Sequence, residues 1–177
     1  MKRNKWLLKL ALLMFVFIAG GCGGGGGGDD PGNPPIVDPV ELPEAVLEII
    51  RLTNLEREKA GLQALRYNDA NLMVAAQQRA VEIDSVYAHT RPDGRGLDTI
   101  FVEFGIQCNR WGENIHRVPI FRTPSDVVND WMNSPGHRTN ILRREFTHIG
   151  VGVYVNDEDN DNPYTLRVNA VQLFIGR

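Results

Sequence analysis

Two histidines lie near the ends of predicted helices, where their pKa values should move apart. His89 follows a helical pattern that ends before Pro92, and the dipole at a helix C-terminus favours a protonated ring. His137 is the third residue of a helix that the Ser134 side chain should cap and Pro135 should begin, and a helix N-terminus favours the neutral ring with a free lone pair. Such a pair could act as acid and base, and a neutral imidazole could equally bind a divalent metal.

Glu113 follows Gly112 in the stretch GENI, and the glycine allows another part of the chain to come close. A carboxylate near two histidines could orient one ring, accept a proton or join both rings on a metal. Each residue alone also has an ordinary interpretation. A histidine at a helix start often forms only local hydrogen bonds, and a glutamate in a loop is usually solvated. The spacing leaves both interpretations open.

For the two remaining histidines and for the aspartates of residues 157–161, the sequence favours structural roles. His116 is three residues from Glu113, so on a strand the two side chains should point to opposite faces. His148 shares a strand face with two glycines that could admit a ring or a ligand, although packing at the strand start is favoured. Aspartates alternate in residues 157–161 but lack the glycine and glutamate of a calcium loop, so a solvated loop is expected. No Ser or Cys lies in a recognisable nucleophile motif, which disfavours covalent catalysis.

Helical periodicity predicts the elements that carry these residues. A first helix should begin at Glu44 and a second after the N-cap Asp69, a short helix should cover residues 97–104, and further helices should begin after Thr123 and after Ser134. The inner face of the second helix is traced by Leu72, Ala75, Ala76, Arg79, Ala80 and Ile83.

Three segments predict strands. Residues 110–117 could form an irregular strand, and residues 148–155 and 164–175 should pair as an antiparallel hairpin joined by an acidic loop. Gln172 lies among apolar neighbours, so it needs a hydrogen-bond partner, for which Asn114 is the candidate. Helices before, between and beside a small antiparallel sheet predict an α+β fold, layered as an α-β-α sandwich.

The N-terminus has the features of an export signal. A basic start, the apolar run of residues 6–17 and small residues before Cys22 resemble a bacterial lipobox. We therefore expect residues 1–21 to be a lipoprotein signal peptide and Cys22 to be lipidated, with an ordinary signal or an uncleaved anchor as alternatives. Glycines, prolines and aspartates in residues 22–43 predict a disordered tether. Residues 44–177 are long enough for one domain with a core.

Charge and cysteine content narrow the function classes. Without the four basic residues of the signal, the 19 basic residues fall to 15 against 22 acidic ones, a net charge of -7. A mildly acidic exported protein is not expected to bind nucleic acid. If Cys22 is lipidated, Cys108 has no partner, so the domain should be held by packing without a disulfide.

Six motifs occur in the order and spacing of the CAP superfamily, also called the SCP domain: NLEREKAGLQAL, AHTRPDG, GENI, WMNSPGHRTNIL, HIGVGV and VQLF. Over about residues 44–177 the chain resembles the bacterial, disulfide-poor branch of that family. The resemblance implies a three-layer α-β-α sandwich. It also implies that Asn54 and Arg57, which match the first-helix pattern, tie that helix to a neighbouring loop.

The resemblance further implies a site. Relatives line a central cavity with two histidines and two acidic residues, and in several members the histidines hold a divalent metal. His89 and His137 match the histidines, so they would be the ligands of zinc or another divalent metal, and Glu113 matches the first acid. The place of the second acid falls at about Ser134, which leaves a His-Glu-His site. Asn114 and Ser134 are the expected ligand-binding neighbours.

Three functional hypotheses remain open. The first is an exported domain of the bacterial cell envelope, anchored to the membrane through Cys22, whose cleft binds a small ligand, lipid, peptide or cell-wall component. The second is a hydrolase in which a metal- or base-activated water attacks a peptide or an envelope polymer. The third is a structural envelope protein with a vestigial cleft. Gly23 after the lipidated cysteine favours the outer membrane where a cell has two membranes.

Overall fold

The computed structural model describes residues 43–120, 122–156 and 166–177. Residues 1–42 of the predicted signal and tether, and the aspartates of residues 157–161, lie outside this part. None of the helices in the described ranges has the length and apolar character that crossing a bilayer requires. From Glu44 to Arg177 the chain forms one compact unit. In chain order its elements are α1 Glu44–Lys59, α2 Ala70–Ser85, α3 Asp98–Glu103, β1 Arg110–Pro119, α4 Pro124–Asn133, α5 Pro135–Ile141, β2 His148–Asn156 and β3 Arg167–Gly176.

The helices begin where their capping residues predict. The Asp69 side chain accepts a hydrogen bond from the backbone N–H of Leu72, and Thr123 forms a reciprocal capping box with Asp126. The expectation that the Ser134 side chain caps α5 is corrected, because Ser134 occupies the N-cap position without a side-chain cap hydrogen bond. Pro135, whose fixed φ suits the first helical position, begins α5 instead.

The three strands form one antiparallel sheet in the order β1-β3-β2. The predicted hairpin of β2 and β3 is confirmed, and β1 adds to the free side of β3. Glu113 points to α2 and its neighbour Asn114 points to α5, because successive side chains of a strand alternate between faces. Helices α2 and α3 share a core with the Glu113 face of the sheet, whereas α1 and α4 contact the Asn114 face through Thr53 and Asp130, which confirms the three-layer sandwich.

Glycines in β2 allow α2 to lie directly on the sheet. A Cβ at Gly150 would be 2.3 Å from the carbonyl oxygen of Leu72, and one at Gly152 would be 2.1 Å from that of Ala76. The space that the sequence offered to a ring or ligand beside His148 is thus filled by the helix backbone. His148 is itself buried and hydrogen-bonded to Thr147, which confirms its packing role.

A buried polar chain joins α1 to the sheet. Gln172 Nε2 donates to Thr53 Oγ1 at 2.7 Å, and Gln172 Oε1 accepts from Asn114 Nδ2 at 2.9 Å. This confirms the predicted pairing of Gln172 with Asn114. The predicted role of the first-helix residues is also confirmed, because Asn54 exchanges two hydrogen bonds with the Leu65 backbone and Arg57 donates to the carbonyl of Gln63.

Candidate functional site

The central feature of the site is a hydrogen-bonded pair between an exposed histidine and a buried carboxylate. His89 lies in the loop after α2, and its Nδ1 is 2.7 Å from Glu113 Oε2 on β1. The His89 side chain is 62% exposed, whereas that of Glu113 is 1% exposed. The carboxylate therefore holds the ring from beneath, and Nε2 of His89, which has no hydrogen bond to a described residue, is open to solvent.

Arg79 fixes this pair from the inside of α2. Its Nε donates to Glu113 Oε1 at 2.8 Å, its Nη1 to Glu82 at 2.7 Å and its Nη2 to the carbonyl of Ala88 at 2.9 Å. Glu82 also accepts from Arg91, two residues beyond His89. The loop that carries His89 is thereby tied to α2 on both sides of the ring, by the hydrogen bond from Arg79 to the Ala88 carbonyl before it and by the Arg91–Glu82 ion pair after it.

His137 belongs to α5, which packs on the face of β1 opposite to Glu113, and the charge of His89 acts on its ring. The amide of Asn114 donates to the His137 carbonyl at 3.1 Å, and Asn140 donates to Asn114 Oδ1 and to the Glu113 carbonyl, both at 3.0 Å. These amides join α5 to β1 beside the His89–Glu113 pair. Asn114 is 0% exposed, so it positions α5 and offers no exposed atom to a ligand, contrary to the ligand-contacting role expected from the sequence.

The two rings have pKa values shifted in opposite directions. The hydrogen bond that His89 donates to Glu113 raises the pKa of His89 above its usual value, against the smaller opposing effect of burial. Burial lowers the pKa of His137, and the positive charges of His89 and His116 lower it further. The directions agree with the sequence-based expectation. The causes are a hydrogen-bonded carboxylate and burial, whereas the expectation rested on helix dipoles.

A second histidine–carboxylate pair lies on the opposite face of β1. His116 Nε2 is 2.9 Å from Asp130 Oδ2, and Asp130 also accepts from Arg122 at 2.6 Å. The opposite orientation of His116 and Glu113 is as predicted. The sequence did not predict that the charge of His116 would influence His137. Ser134, at the expected place of a second acid, is half-buried and has no side-chain hydrogen bond to a described residue.

The protein groups at the site do not complete a divalent metal site. Across residues 43–120, 122–156 and 166–177, no three or more His, Cys, Asp and Glu side chains are grouped so that they could hold a metal ion. Both oxygens of Glu113 already bind Arg79 and His89. Only the two imidazoles remain, whereas resident zinc sites use three or four protein ligands. Zinc or another divalent metal on His89 and His137 stays a prediction.

Chemically, the site offers His89 as a donor and His137 as an acceptor, and the charge of the one ring acts on the pKa of the other. A protonated His89 donates through its exposed Nε2–H, and a neutral His137 accepts through a ring lone pair. A ligand group with both an acceptor and a donor, such as an amide or a hydroxyl, matches this arrangement. The same arrangement could also move a proton to one atom while removing one from another.

Known proteins resemble this chain over its folded part. The family model of the CAP, or cysteine-rich secretory protein, family matches residues 50–174. The uncharacterized protein YkwD of Bacillus subtilis is 38% identical over 106 residues, which are 59% of this chain and 40% of YkwD.

Solved structures give the same likeness. An extracellular protein with an SCP domain from Bacillus anthracis has a TM-score of 0.63 and 26% identity, covering 75% of this chain and 40% of its own. An outer surface protein of Borrelia burgdorferi has a TM-score of 0.61 and 21% identity, covering 76% of this chain and 93% of its own. The chain thus spans less than half the length of YkwD and of the B. anthracis protein.

Proposed function

The chain belongs to the CAP family of cysteine-rich secretory proteins, and from this premise we propose that it is an exported binding domain of the cell envelope. Its His89–Glu113–His137 site binds a polar group of a small ligand, lipid, peptide or envelope component. The observation that carries this proposal is the 2.7 Å bond between exposed His89 and buried Glu113. Burying a carboxylate is unfavourable unless it is paired, and here the buried carboxylate positions an exposed imidazole ring. This organisation is typical of a recognition site.

Binding can be tested directly with soluble peptidoglycan fragments as the probe. Histidine side-chain NMR signals of the Cys22→Ala protein should shift for His89 and His137 on addition of the fragments. The buried His148 provides an internal reference that should not move. The shifts should disappear in His137→Ala and weaken in Glu113→Gln. Lack of any histidine shift with peptidoglycan fragments, short peptides and fatty acids alike would favour a structural protein with a vestigial cleft.

A hydrolase is the second candidate, because the opposed pKa shifts of His89 and His137 suit an acid and a base. In this mechanism neutral His137 takes a proton from water as the water attacks, and protonated His89 gives one to the leaving group. Glu113 orients His89 and is not the base, since its oxygens are occupied by Arg79 and His89. Cleavage products from peptidoglycan fragments that are formed by wild type and lost in His137→Ala would support this reading, whereas bound but intact fragments would exclude it.

Export and anchoring are proposed on the N-terminal pattern and on two similar proteins, one extracellular and one from an outer surface. We expect Cys22 to carry a lipid that holds the domain at the membrane. Metabolic labelling with a fatty-acid analogue should label wild type and Cys108→Ala but not Cys22→Ala. Labelling that persists in Cys22→Ala would contradict the anchor.

The predicted metal requires a separate test, because the described side chains supply only two ligands. When bound, zinc would polarise a ligand oxygen or activate water. Metal analysis of wild type beside His89→Ala and His137→Ala decides the question. Equal metal content in the three proteins would remove the prediction.

A further inference from the structure

A basic groove lies at the C-terminal end of α5, and none of His89, Glu113 and His137 lines it. The groove has a volume of about 400 Å³ and is lined by Arg138, Thr139, Leu142, Arg143, Arg144 and Glu145. This volume is at the lower end of those that hold small ligands. Three of its six lining residues are arginines, in a domain whose net charge is negative.

The three arginines of the groove have no carboxylate partner within the described parts of the chain. Arginines elsewhere do pair: Arg51 with Glu48 at 2.7 Å and Arg95 with Asp93 at 2.6 Å. Arg138, Arg143 and Arg144 form no such ion pair. Their guanidinium groups are therefore available to an external anion, and Glu145 is the one acidic residue among those that line the groove.

The segment that carries the groove is held rigidly from below. Buried Arg57 donates to the carbonyls of Ile141 at 2.7 Å, of Arg143 at 2.9 Å and of Phe146 at 3.4 Å. Among the described residues Arg57 donates to carbonyls and forms no ion pair with a carboxylate. The guanidinium of Arg143 lies 5.4 Å from the ring centre of Phe146, which stacks on Phe174. The backbone of this segment and the Arg143 side chain are thus held in place before any ligand arrives, and the exposed Arg138 and Arg144 complete the donor set.

We propose that this groove binds a phosphate group, carried by a lipid headgroup or by a soluble phosphoester. Guanidinium forks match phosphate geometry, and a tetrahedral anion can accept from several arginines at once, whereas a planar carboxylate is occupied by one fork. Thr139 does not donate to the anion, because its hydroxyl already donates to the Pro135 carbonyl at 2.8 Å. Arg138, Arg143 and Arg144 therefore supply the side-chain donors.

The test compares two exposed groove arginines with two exposed arginines elsewhere. The Arg138→Gln/Arg144→Gln variant removes two charges from the groove, and Arg51→Gln/Arg95→Gln removes the same net charge from other surfaces. The probes are sn-glycerol 3-phosphate, followed by calorimetry, and phosphatidylcholine vesicles with or without phosphatidylglycerol, followed by sedimentation. The protein is the Cys22→Ala chain, so that a lipid anchor does not contribute. A further variant, Glu145→Gln, removes a negative charge from the groove instead of a positive one.

Wild type and the Arg51/Arg95 control should bind the phosphate probe alike, and the groove variant should bind more weakly by roughly 25-fold, about fivefold for each arginine. Glu145→Gln should bind more tightly than wild type. Binding to phosphatidylglycerol vesicles alone would identify a headgroup site, and binding to glycerol phosphate alone a soluble ligand. No binding to either probe, or equal loss in the control, would overturn the proposal. These two outcomes would not test binding at His89 and His137. The proposed function of that site would therefore stand even if the groove bound no phosphate.

Discussion

Replacing Arg79 with methionine is the sharpest test of how the site is built. Arg79 is fully buried and donates to Glu113, Glu82 and the Ala88 carbonyl. Methionine fills much of the same volume but provides none of these hydrogen bonds. Glu82 would keep Arg91, which is 2.5 Å away. Glu113 would keep only His89, so the main cost is a buried carboxylate without its guanidinium.

The expected loss in the free energy of unfolding comes mainly from Glu113, because Glu82 keeps an arginine partner and Glu113 does not. Removing one partner of a buried ion pair costs about 3–5 kcal/mol. We expect about 3 kcal/mol for Arg79→Met at neutral pH, because Glu113 retains the His89 ring at 2.7 Å. Urea denaturation followed by circular dichroism measures it. Arg95→Met, at an exposed arginine whose side chain is 51% accessible, is the control and should change little.

A double-mutant cycle separates the stranded charge from lost packing. Glu113→Gln removes the charge that Arg79→Met would leave unpaired, so the two changes together should cost less than the sum of each alone. A coupling of about 2 kcal/mol is expected for groups in direct contact. Additive effects, or an Arg79→Met variant as stable as wild type, would refute the reasoning that Arg79 exists to neutralise Glu113.

Three other predictions concern the sheet and the histidines. Gly152→Val should destabilise the domain by about 1–3 kcal/mol or more, because its Cβ meets the Ala76 carbonyl, whereas Gly136→Ala, with open space around it, should not; thermal unfolding measures both. In chelator-treated protein, NMR titration should place the pKa of His89 above that of His137, and Glu113→Gln should lower the His89 value; an unchanged value would contradict the pairing. Burial lowers the pKa of His148, so the unfolded chain binds the proton more tightly than the folded one. The free energy of unfolding should therefore fall as the pH drops through about 6.5. In denaturation curves measured at several pH values, His148→Gln should make this pH dependence weaker.

The fold could be predicted from the sequence because its signals are local. Asp69 and Thr123 mark helix starts by their own side chains, and the alternation in β2 marks it as a strand, although its residues 148–152 are buried on both faces. The strand order β1-β3-β2 carries no such local signal, since it depends on which edge of the hairpin the earlier strand meets. The prediction that the Ser134 side chain caps α5 was wrong for a related reason. A serine favours a cap by its residue type, but the turn from α4 into α5 decides whether its hydroxyl reaches the backbone N–H groups.

The buried ion pairs at the site were harder to predict. Arg79 occupies a position of the apolar period in α2, and a charged residue there is the one available sign that a buried partner exists. Its partner Glu113 is 34 residues away in the chain, so periodicity cannot identify it. The pairing of His116 with Asp130 depends likewise on how α4 packs on β1. Resemblance to a family placed His89, Glu113 and His137 together, and the structure adds the side chains that hold them.

The absence of an acid at Ser134 changes what the site can do, rather than removing its chemistry. A second carboxylate beside His137 would raise the pKa of that ring and favour its charged form. Ser134 carries no charge, so it does not offset the burial and the charges of His89 and His116, which lower the pKa of His137. Ser134→Asp should therefore raise the pKa of His137 and narrow its difference from that of His89. If the donor–acceptor pair is what recognises the ligand, this variant should fold normally and bind peptidoglycan fragments more weakly, while Ser134→Asn should bind as wild type. Equal binding by Ser134→Asp would mean that the neutral state of His137 does not matter for recognition.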